Sequence, residues 1–285
     1  MHKTIGHETI GQETLRLFRE RLAREEKSRG TIEKYVREAG EFAAWLGERE
    51  LTREAVASWR DALAASGLGA GTVNGKIASV AALLRHMGRE DCRAKTLKLQ
   101  RRAFRDPKRE LTRQEYARLV AAAEKLGRTR AALLLEAIGS TGVRVSEVKF
   151  LTVEAAERGE ATVKNKGKTR VVLLPGKLRR KLLAYAKKQG VVKGSIFTGK
   201  GGEPLSRHRI WAELKGLCGE AGVAPEKVFP HNLRHLFAVE FYRVSRDVVK
   251  LADVLGHASV NTTRIYLLTS GTEHRKLLER LRLVS

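Results

Sequence analysis

The chain has 285 residues, and its 56 Lys and Arg against 32 Asp and Glu leave a formal net charge of +24 and a pI near 10.5. An excess of cations on this scale calls for a polyanionic partner, nucleic acid first and an anionic membrane surface second. No stretch approaches the roughly 18 apolar residues of a membrane span and the first residues lack the apolar core of a secretion signal, so a cytoplasmic protein of about two domains is expected.

From Glu8 to Met87 the pattern is helical and free of proline, in four segments separated by glycines or cap residues. Leu15, Phe18 and Leu22 mark the first segment, and Tyr35, Val36, Phe42, Trp45 and Leu46 the second. Thr31 and Thr52 are placed to cap the second and third. Gly67 to Gly71 then breaks the chain before a fourth helix over Thr72–Met87. A small all-helical domain over residues 1–91 follows. Cys92 and Cys218 lack CxxC spacing and read as buried free thiols.

Between Cys92 and Arg113 the periodicity lapses, and nine Lys and Arg face only Asp106 and Glu110. Residues 92–110 read as a basic linker lying along a phosphate backbone, with Arg101, Arg102 and Arg105 as contacts. A second domain, 111–285, opens with Thr112 three residues before Glu115, the spacing of a capping box, and a helix to about Leu126. An apolar helix over Arg130–Ile138 should stop at Gly139-Ser140-Thr141-Gly142 and deliver Arg144 and Glu147 onto one face of the next helix. A hairpin is expected from Ala161–Lys164 and Thr169–Leu174, with Asn165-Lys166-Gly167-Lys168 as its turn. No Asp or Glu occurs from Ala161 to Gly202 while twelve Lys and Arg do, which suits phosphate contact and makes Lys164, Lys168 and Arg170 further backbone candidates. Helices are then expected over Leu178–Lys188, Arg209–Ala221, His231–Arg243 and Asp247–Leu255. Ser259 should cap the segment leading to Tyr266, and a last amphipathic helix covers Thr272–Leu283.

Two apparent motifs fail on inspection. Gly167-Lys168-Thr169 matches the tail of a nucleotide-binding P-loop, but position 162, where its first glycine belongs, is Thr162, and strands surround it. His231 and His235 have helical zinc-pair spacing, yet Asn232 stands where the motif needs Glu, and Arg234 between them would repel a cation. What remains is a dispersed polar set: Arg144, Lys166, His231, Arg234, His257 and Tyr266.

The segments TGVRVSE, VKNKGKTR, HNLRH and LGHASVNTTRIY, in this order and with nine residues from His257 to Tyr266, resemble the signature boxes of the tyrosine recombinases, or phage-type integrases. The resemblance implies a mainly α protein, with a SAM-like helical domain that binds core DNA and a mostly helical α+β catalytic domain carrying a small antiparallel sheet. It implies breakage and rejoining of DNA through a 3′-phosphotyrosyl intermediate, without metal, ATP or cofactor. The roles it assigns suit the chemistry. Tyr266 attacks the phosphodiester. Arg144 and Arg234, planar and permanently charged, match the non-bridging oxygens of the phosphorane. His231 is the candidate base and His257 an oxyanion donor, while Glu147 orients Arg144 or a neighbouring histidine. Lys166 is the expected general acid for the leaving 5′-oxygen, with Lys168 as competitor, because Asn165 replaces the first glycine of the family's Gly-Lys-Gly turn. The expected partner is a double-stranded recombination site bound by a homo-tetramer on two duplexes, with the last helix docking in cis or on a neighbour and no arm-binding module before about Glu8. Integration or excision of a mobile element and resolution of DNA multimers both fit. A DNA-binding regulator that keeps the fold and a type IB topoisomerase-like enzyme are the alternatives.

Overall fold

The computed structural model describes residues 10–98, 109–165, 168–199, 201–257, 259–264, 266 and 279–280, with the backbone alone at Asn165, Lys168 and Arg264. The chain divides into two compact units, Met1–Arg101 and Arg102–Ser285. Arg101, Arg102, Arg105 and Lys166 lie outside the described residues, as does most of the expected last helix, of which Glu279 and Arg280 are helical. No helix among the described residues is long and apolar enough to cross a membrane.

The first unit holds four helices: α1 (Gln12–Arg24), α2 (Arg29–Leu46), α3 (Arg53–Ala65) and α4 (Ala70–His86). Their apolar stripes meet in a core of Phe42, Leu46, Val56, Trp59, Val73, Ile77, Val80 and Leu84, closed at one end by Cys92. Phe18 and Leu22 of α1 pack separately against Ala39 and Leu83. Thr52 caps α3 through a bond from the Ala55 amide. Thr31, expected to cap α2, lies inside the helix; Ser28 is the cap, accepting from the Thr31 amide on an extended backbone, which is the geometry an N-cap requires. The fourth helix starts at Ala70, two residues before the expected Thr72.

The second unit is built around α6 (Thr129–Thr141), whose Ala131–Leu135, Ala137 and Ile138 are all buried, so that it is apolar all round and central. Around it lie α5 (Arg113–Lys125), opened by the Thr112–Glu115 capping box, α8 (Gly176–Lys188), α9 (Arg207–Lys215) and α11 (Pro230–Ser245). The expected break at Gly139 does not occur. A Cβ there would fall 2.8 Å from the Tyr116 ring, so Gly139 is a point of close approach between α5 and α6. The helix ends at Gly142, in the left-handed region at φ 64°. The expected helix over Arg209–Ala221 is two, α9 and α10 (Cys218–Ala221). Arg128 takes the Gly216 carbonyl at 2.8 Å, where any larger residue would crowd its guanidinium. A short helix, α7 (Val153–Arg158), which the sequence pattern did not suggest, precedes the sheet.

That sheet is a two-stranded antiparallel hairpin of β1 (Glu160–Asn165) and β2 (Lys168–Leu173). Pairing runs from Glu160↔Leu173 to Asn165↔Lys168, so Asn165 and Lys168, expected in the turn, belong to the strands. Ala161, Val163, Val172 and Leu174 face inward while Thr162, Lys164, Thr169 and Leu173 face out. After α11 come α12 (Val248–Leu255), capped by Asp247, and α13 (Val260–Arg264).

Candidate active site

The site is assembled at the ends of elements, where backbone groups and side chains turn out of the core. Arg144 follows Gly142-Val143 and caps a 3₁₀ turn over Val145–Phe150. Glu147, 1% exposed, accepts from the Arg144 guanidinium at 2.8 Å through Oε1 and from the Arg144 amide at 2.9 Å through Oε2. Burial pushes the Glu147 carboxyl up, but the bonds from Arg144 and the charge of Arg170 outweigh it and hold it below its ordinary value. Arg144 keeps a third of its side chain open to solvent, as a residue offered to a ligand must.

Pro230 opens α11, its missing amide hydrogen costing nothing at the first helical position. The following turn carries His231, exposed, and Arg234, 2% exposed. Arg234 donates to the Gly142 carbonyl, to the Leu255 carbonyl at 2.7 Å and to His257 Nε2 at 3.3 Å. It therefore ties the end of α6 to the end of α12. Burial, with Arg144 and Arg170 nearby, lowers it to about 10, which leaves it charged at neutral pH.

Gly256, at φ 64°, ends α12 and turns the chain so that His257 meets Arg234. A guanidinium can only donate, so Nε2 of His257 accepts and Nδ1 carries the proton, which goes to Thr263 Oγ1 at 2.8 Å. Burial and the charges of Arg234, Arg144 and Arg170 depress His257 to about 4. His231 is lowered as well, by desolvation first and then by His235, Arg234 and Arg144.

Tyr266, 3% exposed, packs with Ala238, Leu251 and Leu255. Three histidine rings surround it: His257 stacks at 5.7 Å, while His235 and His231 are tilted at 5.1 and 6.1 Å. Arg144, His231, Arg234, His257 and Tyr266 are thus brought together from three separate stretches of chain. The arrangement offers a phenol, imidazoles held neutral and fixed cations, the equipment for nucleophilic attack on an anionic ester.

The structure revises several expectations at residue level. Arg170 does not stand out along the hairpin as a backbone contact. Its side chain is 12% exposed and donates to Glu147 Oε2 at 2.7 Å and to the Val254 carbonyl at 2.8 Å. Glu147 accordingly pairs with two arginines, and among the described residues its oxygens meet no histidine. Of the cations in the acid-free stretch, Arg179 and Lys181 also donate to protein acceptors, so that stretch is not one uniform face. Lys164 is exposed on β1 as expected. Thr263 and His235 were not singled out for the site; Thr263 sits six residues after His257 and three before Tyr266, a helical spacing that could have marked it. Asn232, noticed only for excluding a zinc motif, donates to the Arg109 and Lys227 carbonyls, both at 2.8 Å.

Comparison with known proteins gives the family. Residues 109–271 match the phage integrase family and residues 15–91 the phage integrase N-terminal SAM-like domain. Tyrosine recombinase XerC of Brucella melitensis is 31% identical over 281 residues, covering 88% of this chain and 87% of the relative. Tyrosine recombinase XerD of Xanthomonas axonopodis is 35% identical over 159 residues, covering 50% of this chain and 52% of the relative; the chain spans about half the length of that protein. Among solved structures, XerH bound to difH in a pre-cleavage complex aligns with a TM-score of 0.67 at 22% identity, over 89% of this chain and 79% of that one. A lambda integrase tetramer bound to a Holliday junction aligns with a TM-score of 0.70 at 18% identity, over 89% and 76%. With its catalytic and SAM-like parts both matched, and a relative aligned along nearly its whole length, the chain belongs to the phage integrase family of tyrosine recombinases.

Proposed function

We propose that the protein is a site-specific DNA recombinase that cuts and rejoins strands through Tyr266. The observation that carries the reading is the gathering of Arg144, Arg234, His231 and His257 within reach of one another's charge, with the rings of His231 and His257 against that of Tyr266. In this scheme Tyr266 attacks the scissile phosphorus, forming a 3′-phosphotyrosyl bond and releasing a 5′-hydroxyl. His231, held neutral, takes the phenolic proton. Arg144 and Arg234 hold the non-bridging oxygens, whose added negative charge in the phosphorane is what a fixed guanidinium stabilises most. His257 completes that cradle once the phosphate draws Arg234 away from Nε2 and the ring adopts the other tautomer, its Nδ1 then accepting from the Thr263 hydroxyl while Nε2–H donates to the phosphate. Lys166, which lies between β1 and β2 in the sequence, protonates the departing 5′-oxygen, with Lys168 as its competitor. The bond energy stays in the phosphotyrosine, so the partner strand religates without ATP, metal or cofactor.

The SAM-like unit and the basic stretch 92–110, including Arg101, Arg102 and Arg105, are assigned to core-site DNA, and Lys164 to its backbone. The solved relatives hold DNA, one as a tetramer on a junction, which supports a homo-tetramer on two duplexes acting in the cytoplasm on chromosomal or mobile-element sites.

The test uses a duplex selected by binding from a randomised pool and nicked near the cleavage position, incubated in EDTA. A covalent 3′-DNA adduct that disappears in Tyr266→Phe, while site binding survives, is the expected result. Site binding with no adduct from the wild type would sink the enzymatic reading in favour of a DNA-binding regulator. Relaxation of one supercoiled plasmid without exchange between two duplexes would point to a topoisomerase.

A further inference from the structure

Arg170 stands between three parts of the site. It lies on β2, paired with Val163 and on the same inward face as Val172. From there one terminal nitrogen reaches Glu147 Oε2 at 2.7 Å and the other the Val254 carbonyl at 2.8 Å. Glu147 in turn holds both the amide and the guanidinium of Arg144. Val254 is three residues before His257. The stem of Arg170 runs so close to Gly256 that a Cβ there would collide with its Cδ, so the glycine before His257 also makes room for this arginine.

We infer that Arg170 is a positioning residue for strand cleavage: one guanidinium braces Glu147, and through it Arg144, against the end of α12 that presents His257. The inference rests on the recombinase reading above. A planar fork reaches the carboxylate and the carbonyl through two separate terminal nitrogens, whereas the three donors of a lysine leave a single atom that would have to sit within reach of both acceptors. The brace also matters for charge, because Glu147 is 1% exposed and each of its oxygens is met by a guanidinium. Without Arg170, Oε2 would keep only the Arg144 amide and the carboxylate would be free to draw Arg144 inward, away from a phosphate. The geometry persists although, among the described residues, Nε of Arg170 is buried without a hydrogen-bond partner, a cost that a solvated backbone contact would not carry.

The test is single-turnover adduct formation on the nicked duplex, with site binding by gel shift and melting temperature measured in parallel, for wild type, R170M, R170K, E147Q and R170M/E147Q. R170M is expected to slow cleavage by about 10- to 100-fold with binding changed less than about threefold, since small displacements of a reacting group act on rate rather than on affinity. R170K should recover only part of the rate, and in the E147Q background R170M should cost less than about threefold, because the brace is already broken. Should R170M melt below the assay temperature, R170K carries the comparison and is expected to lose cleavage but not binding. Cleavage at the wild-type rate in R170M or R170K would overturn the inference, and so would equal losses in both backgrounds accompanied by weaker binding, the signature of direct phosphate contact. A wild type that forms no adduct would overturn the recombinase reading, and this inference with it.

Discussion

The depressed His257 sets the sign of one pH effect. Its folded value is about 4 against an ordinary 6.5, so between these limits the unfolded chain holds a proton that the folded chain refuses. Stability should therefore fall as pH drops from about 6.5 towards 4. Urea unfolding near pH 7 and near pH 5 is expected to show a smaller loss for His257→Gln than for the wild type, with a remainder from His231, which is shifted in the same direction. Equal losses would show that His257 is not held neutral. Gly256→Ala is expected to cost roughly 2 kcal/mol or more, from a left-handed backbone and the clash with the Arg170 stem, and to lower the melting temperature. That Arg144, His231, Arg234, His257 and Tyr266 lie together was suggested by residue type and local context, although they are dispersed over more than a hundred positions. Arg170 was legible only in part. Its sign and its place in a basic stretch suggested DNA, whereas the two-residue alternation with Val172 and Leu174 already placed it on the buried face.

The elements were read well where capping and periodicity act locally, and badly where a distant partner decides. The Thr112–Glu115 box and the Asp247 cap follow from neighbouring residues alone. The break between α9 and α10 depends on Arg128, and Gly139 is explained by the Tyr116 ring, neither of which a local window contains. That ring is well buried, and burial together with Glu136 raises its phenol to about 12, so Tyr116 is a poor alternative nucleophile. At α2 the first apolar residues drew attention to Thr31, while the extended backbone that a cap needs is found three residues earlier. Ser28→Ala is accordingly expected to destabilise the first unit by about 1 kcal/mol, and Thr31→Ala by less, as read from chemical denaturation. A larger effect at Thr31 would contradict the assignment.

For the whole molecule, the net charge of +24 predicts binding governed by counterion release. The logarithm of the association constant should fall linearly with the logarithm of salt concentration, and a protein making about 6–10 phosphate contacts would lose roughly 10³- to 10⁵-fold between 50 and 200 mM. A nearly flat dependence would remove the polyanion argument altogether. The lapse of periodicity after Cys92 suggested a linker over 92–110, whereas the chain divides between Arg101 and Arg102 and Cys92 closes the first core; composition alone could not say where the second unit takes hold of the chain. The Asn232 amide supplies that point by gripping the Arg109 carbonyl. For protein engineering this fixes a cutting rule: when N-terminal units are exchanged between relatives, the graft junction belongs upstream of Arg109. A chimera joined downstream of it would leave a foreign segment to place the carbonyl that Asn232 takes, at the very helix that carries His231 and Arg234, and the effect of the new unit could then no longer be told apart from a displaced helix.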